Sequence, residues 1–230
     1  MFYKSWFEEE NHIEIVPVEI AGRGRRLREP PLQSIREIVE DIYPAVLQHV
    51  DAPYCMFGHS MGTVIIYEVM KLLIRDKKNM PLHIFMSGRF PPHIEIRKRI
   101  SNLSETEFRE EIFSYGGTPR EIVDNKELSD FFMPILLADY RAIETYFPDT
   151  EIDPWDVNII VLYGYRDREM NPYGYTEWKR YTRKQCDFYG FDGEHFFLHE
   201  KKQELECLIQ EYINKGGFMP IINYCESSVF

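Results

Sequence analysis

The chain has 230 residues, 44% of them hydrophobic, which is enough for one domain with a substantial core. Lysine and arginine total 27 against 38 aspartates and glutamates, and the resulting net charge of −11 argues against a general nucleic-acid-binding protein. Mean hydropathy is −0.39, no apolar run reaches the ~18 residues of a membrane helix, and the start is aromatic and then acidic, so we expect neither a membrane span nor a secretory signal.

The four cysteines, Cys55, Cys186, Cys207 and Cys225, form no close pair and no C-x-x-C motif. We therefore expect reduced thiols and a cytoplasmic protein. The histidines and cysteines lack metal-ligand spacing, and neither common phosphate-binding glycine loop is present. We expect no metal and no cofactor of the protein's own.

The first part of the chain alternates short apolar segments with helical patterns. Residues 12–20 combine alternation with β-branched side chains and predict a strand, and 54–58 and 82–88 are short apolar runs that predict two more. Apolar residues recur at helical spacing over 32–50 and 60–76. The second of these helices is so apolar at its start that we expect it to be buried.

The pattern changes from about residue 95 to 150, where the segments are amphipathic and helical. Strand patterns return at 157–164 and 186–191, and helical patterns at 175–184 and 200–217. Short strands alternating with helices predict an α/β fold with a mostly parallel sheet and helices on both faces. We expect one domain over 1–230, with 95–150 as a helical insertion above the sheet.

The sequence GHSMG, at 58–62, lies between the apolar strand and the apolar helix. In this context G-x-S-x-G indicates a nucleophile elbow, whose glycines let the strand and helix backbones approach at a sharp turn. The motif predicts Ser60 as a nucleophile and the backbone N–H of Met61 as an oxyanion-hole donor. The alternative is a serine that only caps the helix.

A nucleophile of this kind needs an acid and then a histidine further along the chain. Asp167 follows the strand at 157–164, and His195 follows the strand at 186–191. Both residues therefore belong to strand-end loops on the edge that carries Ser60. We expect His195 to take the serine proton and Asp167 to orient the imidazole.

Other residues compete for these roles. His59 adjoins the serine, but neighbours on an elbow point apart, so we expect it to pack against or shape the site; His199 begins the following helix. Asp139 is the main rival acid, although it belongs to the helical insertion. Asp192 and Glu194 are too near the histidine in sequence to orient it.

Further motifs extend over most of the chain. After the first strand comes VEIAGRGRRLREP, followed in order by GHSMG, SGRFPPH, YGGTPREI, MPILLADYRAIETY, YGYRD and FDGEHFFL. From about residue 2 to about 213, the chain resembles the type II (external) thioesterases. These enzymes are α/β-hydrolases encoded with nonribosomal peptide and polyketide synthetases.

The resemblance implies an activity and a partner. Type II thioesterases remove wrong or stalled acyl groups from the phosphopantetheine arm of carrier domains, so an acyl or peptidyl carrier protein would be the partner. The family's triad falls on Ser60, Asp167 and His195. The insertion at 95–150 would be its lid, with 116–119 as a turn between two lid helices. We expect a monomer, with a dimer as the alternative.

One departure concerns the N-terminal region. Members of the family begin with an apolar strand and a small-glycine loop before an aromatic helix, and FYKSW, at 2–6, already resembles that helix. The resemblance implies that the strand and the loop with the second oxyanion donor are missing. Either the sequence omits an N-terminal segment, or this form of the protein has a gap beside 54–58, lower stability and impaired catalysis, unless a neighbouring chain fills the gap.

Two other functions remain open on sequence grounds. The first is another serine hydrolase of the same fold, such as an acyltransferase or an esterase. The second is a catalytically impaired module that binds carrier proteins. Docking on an acidic carrier would use the basic residues Arg23, Arg25, Arg26 and Arg28, which otherwise belong to a solvated loop.

Overall fold

Strands form where the sequence has its short apolar runs. A computed structural model describes residues 2–7, 13–95, 98–114, 125–149, 151–168, 172–215 and 221–225. The strands are β1 (Glu14–Val18), β2 (Tyr54–His59), β3 (His83–Ser87), β4 (Asn158–Gly164), β5 (Cys186–Phe191) and β6 (Ile221–Cys225). They pair in parallel in the order β1-β6-β2-β3-β4-β5. The first five strands and the predicted α/β fold are confirmed.

Helices connect the strands. They are α1 (Ile35–Leu47), α2 (Met61–Arg75), α3 (Glu105–Ser114), α4 (Lys126–Glu144), α5 (Pro172–Thr176), α6 (Phe197–Glu200) and α7 (Lys202–Lys215). The predicted helix at 175–184 is instead α5 followed by a 3-10 turn at Glu177–Tyr181. Within the described residues, no helix is both long enough and apolar enough to cross a membrane.

Both faces of the sheet are covered. Successive side chains of a strand point to opposite faces, so Tyr54 and Met56 pack in the apolar cluster that contains residues of α1 and α2, and Cys55 and Phe57 pack in the cluster that contains residues of α7. Every residue of β2 and β3 is buried. This double burial explains why these strands are continuous apolar runs in the sequence.

The aromatic segment near the N-terminus packs against β2. It is a 3-10 turn at Phe2–Ser5. Trp6 is buried and its ring meets that of Phe57 edge to face, with 5.2 Å between centroids. Tyr3 lies against the same phenylalanine at 5.8 Å. These rings cover one face of the elbow strand.

The expectation of a gap beside the elbow strand is wrong. Strand β6 lies between β1 and β2 and pairs with both of them. It belongs to the same chain, whereas the expected substitute was a strand or loop from a neighbouring chain. Residues 218–230 received no predicted element, because a short apolar run after glycines does not identify its pairing partners.

Helices α3 and α4 lie between β3 and β4, within the predicted insertion. They share a small apolar cluster, to which Ile100, Phe108, Ile112, Met133 and Leu136 belong. Asn125 caps α4 by accepting the N–H of Leu128. The predicted turn at 116–119 lies outside the described residues. The lid role of this segment and the single-domain organisation stay predictions.

Candidate active site

The turn between β2 and α2 has elbow geometry. β2 ends at His59 and α2 begins at Met61, so Ser60 alone makes the turn, with φ 51° and ψ −117°. A positive φ is uncommon for a residue with a side chain and indicates local strain. Any Cβ at Gly58 would lie 2.5 Å from the carbonyl oxygen of Gly62, so the approach of strand to helix requires glycine.

Hydrogen bonds hold the backbone of Ser60. Its N–H donates to the carbonyl of Ser87 at the end of β3, at 2.8 Å. Its own carbonyl accepts the N–H and the hydroxyl of Thr63, at 3.1 and 2.8 Å. The Ser60 side chain makes no capping hydrogen bond to α2. The geometry therefore does not support the alternative of a serine that only caps the helix.

The loops that follow β4 and β5 bring an acid and a histidine together. Nδ1 of His195 lies 2.7 Å from Oδ2 of Asp167. The aspartate side chain is 1% exposed and the histidine side chain 13% exposed. A short bond from Nδ1 to a buried carboxylate fixes the orientation of the imidazole and leaves Nε2 for another partner.

The two loops are joined by backbone hydrogen bonds. The N–H of Tyr165 donates to the carbonyl of Phe191 at 2.8 Å, and the N–H of Arg166 donates to the carbonyl of Gly193 at 2.9 Å. A Cβ at Gly164 would lie 2.5 Å from that Gly193 oxygen. The loops are thus closely packed, which sets the position of the aspartate against the histidine.

His59 connects the elbow to the histidine loop. It is fully buried, and its Nδ1 lies 2.9 Å from the hydroxyl of Ser87. Its ring lies 4.9 Å from that of His195, centroid to centroid. A Cβ at Gly88, whose φ is +65°, would lie 2.5 Å from the His59 ring. Burial, followed by the charges of His195 and His199, lowers the pKa of His59 well below its usual value, so this ring stays neutral.

The rival acids are engaged elsewhere. Asp139 is buried in α4 and accepts from Nη2 of Arg23 at 2.6 Å. Burial raises the pKa of Asp139, and the Arg23 guanidinium opposes that rise. Asp192 pairs with Arg166 at the surface. The carboxylate that contacts His195 is that of Asp167. The burial of His59 agrees with the packing role expected of it.

The four arginines of the basic loop after β1 are not all exposed to solvent. Arg23 is 5% exposed and is paired with a carboxylate of α4, so it cannot meet a partner. Arg25 pairs with Glu19 at 3.1 Å while remaining exposed, and Arg26 is held by carboxylates on both sides. Arg25 and Arg28 are the members of the set that face solvent.

No group of three or more histidine, cysteine or acidic side chains among the described residues is arranged to hold a metal ion. Cys55, Cys186 and Cys207 are free thiols. Burial raises the pKa of Cys55 and of Cys186 to about 12, so neither is a ready nucleophile near neutral pH.

The structure brings two of the predicted site residues together, since His195 lies against Asp167. The order serine, acid, histidine, with each residue after a predicted strand, is the basis of the assignment of Ser60, Asp167 and His195, and their catalytic roles stay predictions. The support that Ser87 gives to both the elbow backbone and the His59 ring was not predicted, because it depends on β3 lying beside β2. The motif SGRFPPH begins with Ser87 and was the feature of the sequence that could have indicated a role for this residue.

A parallel sheet with helices on both faces, a strained serine turn after a central strand and an acid–histidine pair in later strand-end loops together define an α/β-hydrolase. Residues 2–215 match the family model described as a thioesterase domain. The chain belongs to the thioesterase family.

Curated and solved relatives agree with this assignment. The gramicidin S biosynthesis protein GrsT of Aneurinibacillus migulanus is 30% identical over 84% of this chain and 75% of its own length. The RedJ thioesterase of the prodiginine pathway in Streptomyces coelicolor has a TM-score of 0.83 at 30% identity, over 91% of this chain and 80% of that one. ClbQ of the colibactin nonribosomal peptide/polyketide pathway has a TM-score of 0.82 at 29% identity, over 86% and 84%.

Proposed function

We propose that this thioesterase hydrolyses acyl groups from the phosphopantetheine arm of carrier domains and so removes misprimed or stalled intermediates of nonribosomal peptide or polyketide synthesis. The observation that carries the proposal is the 2.7 Å contact of His195 with buried Asp167, beside a Ser60 turn whose side chain does not cap its helix. The relatives from biosynthetic pathways support the carrier-bound substrate.

In the first half of the reaction, the Ser60 hydroxyl attacks the thioester carbonyl while His195 accepts its proton. Asp167 holds the imidazole in the required tautomer and stabilises the imidazolium. The backbone N–H of Met61 is at the first position of α2, where an N–H has no acceptor within the helix, and we assign it the stabilisation of the oxyanion. Collapse of the tetrahedral intermediate breaks the C–S bond, and the proton passes from His195 to the departing pantetheine sulfur.

In the second half, water attacks the acyl ester on Ser60. His195 takes a proton from that water and returns it to the serine oxygen, so the fatty or peptidyl acid leaves and the enzyme is restored. Every step uses side chains and backbone of this chain, and the reaction needs no cofactor of the enzyme's own. The pantetheine belongs to the partner.

The partner is a carrier domain of a synthetase. Carrier domains are generally acidic, and Arg25 and Arg28 are exposed side chains of opposite charge in the loop after β1. The net charge of −11 does not favour nucleic acid. We propose a cytoplasmic enzyme, where the thiols stay reduced, that acts as a monomer.

Hydrolysis of a panel of acylated carrier proteins tests the proposal, with Ser60→Ala as the variant and Ser34→Ala, at the cap of α1, as the matched control. We expect Ser60→Ala to lose both turnover and labelling by a fluorophosphonate, and Ser34→Ala to keep both. Labelling of Ser60→Ala at the rate of the unmodified protein would contradict the nucleophile.

The same panel separates the alternatives. Cleavage of small esters without cleavage of any acyl carrier would identify an esterase. Transfer of the acyl group to an added alcohol or amine in preference to water would identify an acyltransferase. Carrier binding without any turnover or labelling would identify the impaired binding module.

A further inference from the structure

A strand from the C-terminal region completes the sheet beside the proposed nucleophile. Residues 221–225 pair in parallel with Glu14–Val18 of β1 and, on the other side, with the segment of β2 that runs from Tyr54 to Gly58. The match to the thioesterase domain ends at residue 215, so this strand lies outside it. The position in the sheet beside the strand that leads to Ser60 is therefore filled by residues that the family match does not include.

The register places β6 directly against the approach to Ser60. Cys225 pairs with Gly58, two residues before the serine, and β3 holds the other edge of β2 up to His59. All residues of β2 are buried. Without β6, backbone N–H and C=O groups along this edge of β2 would lose their partners in a buried setting, which is unfavourable for the folded strand.

We propose that Ile221–Cys225 is a positioning element of the active site, which fixes β2 and through it the backbone of Ser60. It acts through β2 and is not itself catalytic. Activity then depends on a segment beyond the helix α7, in the same chain. The inference rests on the proposed use of Ser60 as nucleophile, but not on the identity of the acyl substrate.

A proline in β6 tests the pairing. Asn223 lies in the middle of the strand, opposite Met56 and Val16. Asn223→Pro removes a backbone donor from a central strand, whereas the matched Asn223→Ala keeps it. We expect Asn223→Pro to slow labelling of Ser60 by a fluorophosphonate about 10²-fold, the effect of misplacing a reacting group by about 1 Å.

The labelling rate is measured for the folded protein, at a temperature well below the melting temperature of each variant. A strand that contributed only to stability would lower the melting temperature and leave this rate unchanged. Labelling of Asn223→Pro at the rate of Asn223→Ala would thus overturn the proposal. Since labelling needs no carrier protein, the outcome is independent of whether the proposed substrate is right.

A disulfide tests the strand's position without weakening the fold. Val18 lies opposite Cys225, and Val18→Cys creates a facing pair on neighbouring strands about 4.8 Å apart, within the Cα range of about 4.4–6.8 Å for disulfides. Oxidation with copper phenanthroline should link residues 18 and 225 within one chain, while labelling of Ser60 stays within about twofold. The controls Val18→Ser and Val18→Cys/Cys225→Ser should form no such link.

Peptide mapping by mass spectrometry and a non-reducing gel decide the outcome. An intrachain link with retained labelling supports the proposal. A disulfide-linked dimer would show that a second copy supplies the strand and would overturn the assignment to the same chain. Absence of the 18–225 link under conditions that oxidise the free thiols would overturn the position of β6.

Discussion

At the scale of single residues, the proposed catalytic groups follow from order and spacing. A glycine-flanked serine after one apolar strand, an acid after a second and a histidine after a third could be recognised because parallel strands end at one edge. What the sequence could not provide is the environment. His59 is buried against Ser87, Gly88 and His195, which come from other parts of the chain. This burial, followed by the charges of His195 and His199, lowers the pKa of His59 and keeps the ring neutral.

The acid is tested by Asp167→Asn. The substitution keeps the size of the side chain but removes the carboxylate that fixes the tautomer of His195, so we expect kcat to fall about 10⁴-fold with little change in KM. Asp192→Asn, in the same region but exposed and paired with Arg166, is the control and should keep activity near the unmodified level. Loss of activity in Asp139→Asn with retention in Asp167→Asn would show that the acid is misassigned.

The lowered pKa of His59 predicts a dependence of stability on pH. Below about pH 6.5 the unfolded chain protonates this histidine while the native protein keeps it neutral, so the unfolded state binds more protons and stability falls with falling pH. The His59 contribution is fully present above about pH 6.5 and is lost at about 1.4 kcal/mol per pH unit below it.

Urea unfolding of the unmodified protein and of His59→Asn, from pH 7.5 to pH 5.5, measures this contribution. The variant should lose less stability than the unmodified protein between pH 6.5 and pH 5.5, by about 1 kcal/mol. Any constant difference from altered packing appears equally at pH 7.5 and is subtracted. Parallel curves across the whole range would contradict a neutral, buried His59.

At the scale of elements, the strands with two buried faces were the easiest to predict. β2, β3 and β4 are short apolar runs because helices cover both sides of the sheet, and that composition is visible in the sequence. β6 could not be predicted, since its strand state depends on the free edges of β1 and β2 that it fills. The pattern over 175–184 likewise predicts one helix, because the side-chain spacing of the 3-10 turn at Glu177–Tyr181 is similar to that of an α-helix.

Helix α4 is attached to the loop after β1 by a buried ion pair. Arg23 and Asp139 are 2.6 Å apart, and among the described residues Nε and Nη1 of the arginine and Oδ2 of the aspartate have no hydrogen-bond partner. Removing one partner leaves an uncompensated buried charge, so Arg23→Met and Asp139→Leu should each destabilise by about 3–5 kcal/mol. The double variant should be closer to the unmodified protein than either single variant.

A double-mutant cycle in urea measures the coupling. The matched control is the more exposed pair Arg26 and Asp41, at 2.5 Å, whose coupling energy should be about 0–1 kcal/mol because water screens the pair. Additive effects at Arg23 and Asp139 would show that the two buried charges do not depend on each other.

At the scale of the whole molecule, the order of the strands in the sheet differs from their order in the chain. β1 and β2 are neighbours of β6, which follows every other described element along the chain. Composition and periodicity predict the class of fold. They do not predict that the last described strand lies between the first two, because that position depends on pairing between residues far apart in the sequence. Contacts of such sequence separation have a large loop-closure cost and tend to form late in folding.

This arrangement has a consequence for synthesis on the ribosome. About 160 residues separate β2 from β6, and at about 5–20 residues per second the elbow strand must wait roughly 10–30 s for its neighbour. Stalled ribosomal complexes that have released only residues up to 215 should therefore be cleaved rapidly by a protease within β1 and β2, and complexes that have released residue 225 should resist it. We therefore expect the nascent chain to be inactive until residue 225 has left the ribosome, because the strand that carries the approach to Ser60 lacks its neighbour until then.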